Sequence, residues 1–336
     1  MKFPVHKHHA RFAACLLGSL CMISLSATAS SAYPDRKPTR DDLVVTLTSS
    51  GESYNVATGA PTLEAVRTVD ADEGDGRPLF SPHNDPKPRT QGDLPPVRSS
   101  QGSGIGINGV IGSDDRTRVA NTTVYPYSAM VQLEVVFDGE GFICSGFMIS
   151  ADTVGTAGHC IHEGATDTQG LELGTVGEFA EQVIAYPGRD GDYLPYGSCL
   201  GVELYISGGW GNGSYVAYDY GAIKLDCEVG NVTGTLGYTT RTASNAVLAG
   251  YPGDKTPYAT LWQDYGDVSK FALGTRYEYA IDTFGGQSGG PVYYSPRDCN
   301  GSCAVGIHAY GLAQSNTGTA ISTVDGSFDN FSAWRQ

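Results

Sequence analysis

Two distant segments of the chain carry residues that could do nucleophilic chemistry. In the run Gly-Gln-Ser-Gly-Gly-Pro at 286–291, small neighbours let a substrate and backbone N–H groups come close to Ser288. A serine hydroxyl needs a base to take its proton, and His159, in Thr-Ala-Gly-His-Cys, is a suitable one. Asp219 precedes a small and apolar run and could be buried beside the imidazole. These residue types together predict acyl transfer through a serine.

The N-terminus predicts export. Three basic residues precede an uncharged apolar run at 12–26, and Ala-Thr-Ala at 27–29 offers a small-residue cleavage site. This is the layout of a signal peptide, which we place at residues 1–29. A retained membrane anchor is the alternative, but the run is short and rich in serine, and no later segment has 18 apolar residues. We expect a secreted, extracellular protein without a membrane partner.

Residues 30–108 differ in composition from the rest of the chain. The part from 32 to 108 holds nine of the 17 prolines and only three aromatic residues. Such a segment buries little apolar surface, so residues 30–108 are predicted to be a Pro-rich, flexible propeptide. Residues 109–336 contain all three tryptophans and have a normal size for one all-β barrel domain.

Short runs rich in Val, Ile, Tyr and Phe, separated by Gly, Asn, Asp and Pro, predict β-strands. The clearest runs lie at 130–137, 142–149, 221–225, 246–250 and 304–307. Near the end, Phe328, Phe331 and Trp334 recur every third residue after Asp325, which predicts a helix. We therefore expect a double β-barrel with a C-terminal helix packed against it.

Charge and cysteine usage limit the partners. Residues 1–108 carry 11 basic and 11 acidic side chains, and residues 109–336 carry 10 and 25, so the net charge of −15 lies on the second part. An acidic surface repels nucleic acid, which is not expected as a partner. Six cysteines follow the signal peptide and permit 15 disulfide pairings. A zinc site would need paired C-x-x-C spacing, which is absent, so no metal or cofactor is predicted.

The segments around His159, Asp219 and Ser288 resemble those of the chymotrypsin-fold serine proteases, in the same order along the chain. More narrowly, the chain resembles the bacterial glutamyl endopeptidases of the Bacillus and staphylococcal V8 type. The similar stretches lie at 110–119, 121–127, 250–255 and 282–289. The resemblance covers 109–336 and implies two six-stranded antiparallel β-barrels of chymotrypsin type with a C-terminal α-helix.

The resemblance also implies catalytic roles. His159 would be the general base, Asp219 the residue that orients it, and Ser288 the nucleophile. The backbone N–H groups of Gly286 and Ser288 would form the oxyanion hole. Cys144–Cys160 and Cys299–Cys303 correspond to disulfides of the Bacillus group, whereas Cys199 and Cys227 are additional and are expected to bridge each other.

Substrate specificity has two interpretations. Asp282 lies six positions before Ser288, as does the acid with which trypsin-like enzymes bind Arg or Lys, so a trypsin-like endopeptidase is one alternative. The glutamyl endopeptidases also carry Asp there. Their acidic substrate side chain is bound by a histidine, a hydroxyl and the new N-terminus, which correspond here to His308, Thr283 and the α-amino group of Gly109. The resemblance thus implies cleavage after an acidic residue, with Glu preferred and Asp as the alternative.

Gln287 bears on activation. In animal trypsin relatives an Asp at this place pairs with the freed N-terminus, and Gln cannot form that ion pair. The N-terminus would then serve the substrate pocket, so that cutting between Asn108 and Gly109 would switch on a zymogen. Because Asn108 is not acidic, an activating protease is an expected partner, beside protein or peptide substrates. The enzyme is expected to be a monomer. A catalytically silent secreted binding module remains the non-enzymatic alternative.

Overall fold

The computed structural model describes residues 43–46, 53–55, 109–166, 175–296, 299, 301–312 and 314–336. The predicted signal peptide, most of the predicted propeptide and the predicted cleavage position at Asn108 lie outside these residues. Among the residues described, no helix is both long and apolar enough to cross a membrane.

Strands dominate the described chain, as the short β-branched and aromatic runs predict. They are β1 Leu43–Thr46, β2 Ser53–Asn55, β3 Thr117–Arg118, β4 Met130–Phe137, β5 Glu140–Met148, β6 Thr153–Thr156, β7 Ala165–Thr166, β8 Thr175–Val176, β9 Gln182–Pro187, β10 Cys199–Ser207, β11 Gly221–Leu225, β12 Gly237–Tyr238, β13 Asn245–Gly250, β14 Trp262–Phe271, β15 Arg276–Tyr279, β16 Pro291–Tyr294, β17 Cys303–Tyr310 and β18 Asn316–Ala320. The helices are α1 Gly208–Gly213, α2 Gly230–Thr233 and α3 Ser327–Trp334.

Six antiparallel strands form the first barrel, in the order β11-β6-β5-β4-β9-β10, and the pairing of β10 with β11 closes it. The strands β1 and β2 form an antiparallel pair, and β1 adds to β10 with Leu43 opposite Ser207. These two strands belong to the predicted propeptide, which therefore contributes to the sheet of the first barrel.

The second barrel has the order β17-β16-β13-β14-β15-β18 and is closed by the pairing of β17 with β18. Its ladders are antiparallel. The short strand β12 adds to β17 in parallel, and β3 adds to β14. The predicted architecture of two six-stranded antiparallel barrels with a C-terminal helix is confirmed.

The two barrels share a buried apolar cluster. It includes Leu133, Phe147 and Ile223 from the first barrel and Ala249 and Ile307 from the second. A separate cluster fills the second barrel, with Leu248, Val268, Tyr277, Val292 and Val305 among its members. Because the shared cluster fixes one barrel against the other, loops from both barrels can build one site at their junction.

The helix α3 packs its apolar face on the first barrel. The Phe331 and Trp334 side chains are buried, and their rings each lie 5.9 Å from the ring of Tyr220, the residue after Asp219. The Oδ1 atom of Asp325 accepts hydrogen bonds from the backbone N–H and the hydroxyl of Ser327 at the helix start. The terminal helix thus supports the segment that carries Asp219.

The Asp325→Asn substitution should stabilise the protein increasingly as the pH rises from 4 to 8. Burial raises the pKa of Asp325 to about 7, and its Oδ2 atom has no partner among the described residues. Between about pH 4 and 7 the folded state therefore holds one more proton than the unfolded state, and its stability falls with pH. Asn lacks this proton. We expect its advantage to grow by at most about 4 kcal/mol over that range.

Urea unfolding of both forms at pH 4.5 and 8, in a Ser288→Ala background that prevents self-digestion, measures this difference. An advantage that is the same at both pH values would show that Asp325 is ionised in the fold.

Candidate active site

The position of His159 is fixed by local structure and by a disulfide. His159 lies in a 3-10 turn, Gly158–Cys160, that follows β6. The disulfide Cys144–Cys160 ties this turn to β5. A Cβ atom at Gly158 would lie 2.9 Å from Trp210 Cδ1 and 3.1 Å from Asp219 Oδ1, so only glycine fits this close approach.

Asp219 is fully buried and is hydrogen-bonded to the imidazole of His159. Its Oδ2 atom lies 2.7 Å from His159 Nδ1, and its Oδ1 atom accepts the backbone N–H of His159 at 2.8 Å. Burial by itself lowers the pKa of His159, but the charge and the hydrogen bond of Asp219 outweigh it and leave the pKa raised. Burial likewise raises the pKa of Asp219, and His159 and its other donors bring it below the ordinary value. The geometry fixes the tautomer that carries its proton on Nδ1 and leaves Nε2 as an acceptor.

Tyr310 is a third donor to this carboxylate that sequence reasoning missed. Its hydroxyl donates to Asp219 Oδ2 at 2.5 Å, and its ring centroid lies 5.9 Å from that of His159. Tyr310 is the last residue of β17, two positions after His308. No local motif marks it, because the contact joins residues 91 positions apart across the barrel junction.

The turn that carries Ser288 belongs to the second barrel but is held by Ser145 of β5 in the first. The hydroxyl of Ser145 donates to the Gly286 carbonyl at 2.8 Å, and its backbone N–H donates to the Ser288 carbonyl at 2.7 Å. The same Ser288 carbonyl oxygen lies 3.6 Å from Cys160 Sγ, beside His159. The structure therefore brings the Ser288 turn next to the His159 turn, as the sequence motifs require.

Glycine is required on both sides of Ser288. Gly286 has φ +101° and Gly289 has φ +84°, both in the region that favours glycine. A Cβ atom at Gly289 would lie 2.1 Å from the carbonyl oxygen of Ser145. Within the described residues, the backbone N–H groups of Gly286 and Ser288 have no acceptor, whereas that of Gln287 donates to Phe284. Two free donors thus stand beside the Ser288 side chain.

Asp282 does not have the environment that a trypsin-like pocket would give it. The residue is buried, its Oδ1 atom accepts the backbone N–H of Ile111 at 2.7 Å, and its Oδ2 atom accepts that of Asp115 at 2.8 Å. Both oxygens are therefore used to anchor the segment that begins at Gly109. The motif spacing alone could not reveal this use of the carboxylate.

The segment that follows Gly109 also reaches Gln287, through Arg116. The buried guanidinium forms ion pairs with Asp114 at 2.8 Å and Asp254 at 2.6 Å. Its Nη1 atom also donates at 3.3 Å to Gln287 Oε1, which accepts the backbone N–H of Phe284 as well. An internal arginine, and not a terminal ammonium, thus contacts the residue before Ser288. Sequence reasoning did not single out Arg116.

Gly109 and Thr283 are neighbours in an isolated antiparallel bridge, in which the Thr283 N–H donates to the Gly109 carbonyl at 3.2 Å. The side-chain amide of Asn316 donates to the same carbonyl at 2.6 Å. The buried Thr283 hydroxyl has no partner within the described part of the chain. A Cβ atom at Gly109 would lie 2.4 Å from this hydroxyl oxygen, so Gly109 and Thr283 are in close contact. Asn316 is a further site residue that the sequence did not reveal.

His308 lies on β17 directly beside the Ser288 turn. Its backbone N–H donates to Gly290 at 2.9 Å, and its carbonyl accepts from Gly289 at 2.8 Å. Its Nδ1 atom lies 2.8 Å from the hydroxyl of Tyr279, and among described residues Nε2 has no hydrogen-bond partner. Burial and the nearby positive charge of His159 lower the pKa of His308 to about 3. The imidazole is therefore neutral at physiological pH.

The three disulfides are Cys144–Cys160, Cys199–Cys227 and Cys299–Cys303. In the described part of the chain, two groups of side chains have the composition of a metal site, namely Cys144 with His159 and Cys160, and Cys199 with Asp226 and Cys227. In both groups the sulfur atoms are oxidised to a disulfide and offer no thiolate to a metal. The donor sets therefore do not fit a metal ion.

The chain is similar to several known proteases. A family profile described as Trypsin matches residues 115–191. The chain is 41% identical over 241 residues to the glutamyl endopeptidase of Bacillus licheniformis, covering 68% of this chain and 70% of that protein. It is 37% identical over 232 residues to an extracellular metalloprotease of Bacillus subtilis, covering 67% and 69%. A solved structure of a Glu endopeptidase in complex with MPD matches with a TM-score of 0.55 and 29% identity, covering 67% of this chain and 99% of that one.

Proposed function

Because this chain belongs to the glutamyl endopeptidases, a family of chymotrypsin-fold serine proteases, we propose that it is a secreted endopeptidase that prefers glutamate at P1. P1 is the substrate residue whose carbonyl is attacked. One observation carries the proposal: the Asp282 carboxylate accepts two backbone N–H groups, while His308 beside the Ser288 turn has a nitrogen, Nε2, without a hydrogen-bond partner among the described residues. The pocket thus offers an acidic side chain a donor and offers a basic side chain no free carboxylate from Asp282.

In the proposed mechanism the Ser288 Oγ attacks the P1 carbonyl carbon and His159 Nε2 takes the hydroxyl proton. Asp219 holds the imidazole by Nδ1 and stabilises its charged form. The backbone N–H groups of Gly286 and Ser288 donate to the oxyanion of the tetrahedral intermediate. His159 then gives the proton to the leaving amine, and an ester to Ser288 remains. Water hydrolyses this ester by the same proton transfers and restores Ser288.

Recognition of the acidic P1 side chain follows from hydrogen-bond chemistry. If the Tyr279 hydroxyl donates to His308 Nδ1, the Nε2 atom of His308 carries a proton and can donate to a carboxylate. The unpartnered Thr283 hydroxyl is a second donor. A carboxylate in a partly dry pocket needs such donors together with a compensating positive charge. Since the domain is acidic, this attraction must be local.

The compensating charge is proposed to come from activation. While residues 108 and 109 are joined, the Gly109 nitrogen is an uncharged amide. Cutting there by another protease would create an ammonium next to the Thr283 hydroxyl, where Gly109 is held by Asn316 and, through Ile111, by Asp282. On this proposal residues 1–29 are the signal peptide, residues 30–108 the propeptide and residues 109–336 the protease domain, so the exported chain is a zymogen.

The experiment that tests this function compares peptides that differ only at P1. Protein that begins at Gly109 and the uncut precursor are each given peptides with Glu, Asp, Gln or Arg at P1. We expect cleavage after Glu by the mature form, weaker cleavage after Gln, and little activity from the precursor. Cleavage mainly after Arg would refute the glutamyl specificity and support the trypsin-like alternative, in spite of the contacts of Asp282.

The His308→Ala variant should lose selectivity for an acidic P1 residue. One charge-assisted hydrogen bond contributes about 1.5–3 kcal/mol, so the ratio of kcat/KM for Glu over Gln should fall by about tenfold to 100-fold. The rate on the P1-Gln peptide serves as an internal control, because it reports folding and catalysis without the acidic side chain. An unchanged Glu-to-Gln ratio in an active variant would remove His308 from the pocket.

A further inference from the structure

Arg276, at the start of β15, is a cation that forms no ion pair with a carboxylate among the described residues. Its Nη2 atom donates to the Thr317 hydroxyl at 2.6 Å, and its Nε–H group is buried without a partner among the residues described. Lys270 donates to the Thr240 carbonyl. Five other cations of the described chain form ion pairs with carboxylates within 4.0 Å, namely Arg116, Arg118, Arg189, Lys224 and Lys255. In a domain with so many acidic side chains, an unpaired guanidinium calls for a physical reason.

This guanidinium lies close to the proposed catalytic residues. Its Cζ atom is 5.7 Å from the ring centroid of Tyr310 and 5.1 Å from that of Phe271, so the charge lies within cation–π range of both rings. Tyr310 in turn donates its hydroxyl to Asp219. Arg276 is therefore separated from the Asp219 carboxylate by one side chain.

Nearby negative charges do not neutralise Arg276 by contact. Glu278 is exposed on the same strand and forms no ion pair with it within the described residues. Asp219 already accepts hydrogen bonds from His159 and Tyr310. Burial lowers the pKa of Arg276, because removing its charge from water costs free energy. A ligand with a negative charge would reduce this cost.

We propose that Arg276, with Phe271 and Tyr310, forms a subsite for an acidic side chain two to four residues before the scissile bond, at P2, P3 or P4. This subsite rests on the proposed function, because P1 is placed against His308. Tyr310 follows His308 by two positions on β17, and an extended peptide advances about 3.3 Å per residue. A substrate strand that runs along the end of β17 therefore places its P2, P3 and P4 residues close to Tyr310 and the Arg276 guanidinium. The preferred substrate is then a peptide with an acidic stretch.

A purely structural role is the competing explanation, since arginine often stacks on aromatic rings to pack them. Under that explanation, Arg276 would hold Tyr310 in place, and its removal would slow the cleavage of every peptide equally. The two roles are therefore distinguished by the ratio of kcat/KM between an acidic and a neutral peptide, and not by the rate on either peptide alone.

The test uses mature protein and peptides with P1 fixed as Glu, in which P2, P3 or P4 in turn is Glu, Gln or Lys. We expect kcat/KM to be about fivefold to tenfold higher for Glu than for Gln at one or more of these positions, with Lys the poorest, and the preference to shrink as salt is added. In Arg276→Gln the Glu-to-Gln ratio should fall to about one, while Arg276→Lys keeps part of it. Arg118→Gln removes the same charge from an exposed pair with Asp190 and should leave the ratio unchanged.

Equal rates for Glu and Gln at all three positions in the wild-type enzyme would overturn the subsite. So would an Arg276→Gln variant in which both rates fall together, because this is the signature of packing. Failure of the mature enzyme to cleave after a P1 Glu, together with cleavage after Arg, would instead refute the proposed function. The same substitutions at P2, P3 and P4 would then be tested in peptides with Arg at P1. A kcat/KM ratio of one between Glu and Gln at all three positions would refute the subsite as well.

Discussion

Replacing Ser288 with alanine should lower kcat/KM of the mature enzyme by about 10⁴-fold to 10⁶-fold. The substitution removes the hydroxyl that would form the acyl ester. It should leave the turn intact, because Ser145 donates hydrogen bonds to the backbone carbonyls of residues 286 and 288. The residual rate would come from binding and from the free N–H groups of the turn. Hydrolysis of a P1-Glu peptide measures the loss.

Labelling with a serine-directed fluorophosphonate provides the second readout, and it should disappear in the Ser288→Ala variant. The matched control is Ser269→Ala, which makes the same change on the exposed face of β14 and should keep both activity and labelling. A Ser288→Ala variant that retains more than about a tenth of the wild-type rate would refute the serine mechanism. Absence of labelling in the mature wild type would favour the silent binding module.

The Asp219→Asn variant should lose about 10⁴-fold in kcat at neutral pH with little change in KM. An asparagine amide cannot accept hydrogen bonds on both atoms from the backbone N–H and Nδ1–H of His159 and from the Tyr310 hydroxyl. The imidazole is then free to adopt the tautomer that carries its proton on Nε2, where it cannot act as the base.

The pH profile distinguishes this role from a loss of folding. Because the charge of Asp219 raises the pKa of His159, removing it should lower that pKa and move the acid limb of the kcat/KM profile to lower pH. The Asp267→Asn variant makes the same charge change at an exposed position of β14 and should leave the profile in place. An Asp219→Asn enzyme within tenfold of wild type, with an unmoved acid limb, would show that Asp219 does not orient the base.

The features that can be predicted from the sequence are those with a local cause. Small residues around Ser288 are needed for the positive φ angles of Gly286 and Gly289, and they mark the turn wherever it lies in the fold. Alternating apolar runs predict strands because side chains alternate between the two faces of a sheet. The run at 130–137 coincides with β4, and the run at 221–225 with β11.

The features that could not be predicted depend on which distant segments meet when the barrels close. Arg116 contacts Gln287, which lies 171 positions away in the sequence, and Arg276 contacts Thr317, which lies 41 positions away. No rule of residue spacing predicts either contact. Tyr310 joins Asp219 for the same reason, since it extends from the end of one barrel strand toward the other barrel. Long-range hydrogen bonds of this kind leave no periodic pattern in the sequence.

The role of Asp282 shows most clearly what the sequence determines and what the tertiary structure decides. By itself the sequence determines the all-β class, the order of His159, Asp219 and Ser288, and the presence of an acid six positions before the serine. Only the tertiary structure decides what that acid does, because a carboxylate interacts with whichever donors reach it. Here the backbone N–H groups of Ile111 and Asp115 reach both oxygens, so the carboxylate anchors the segment that follows Gly109.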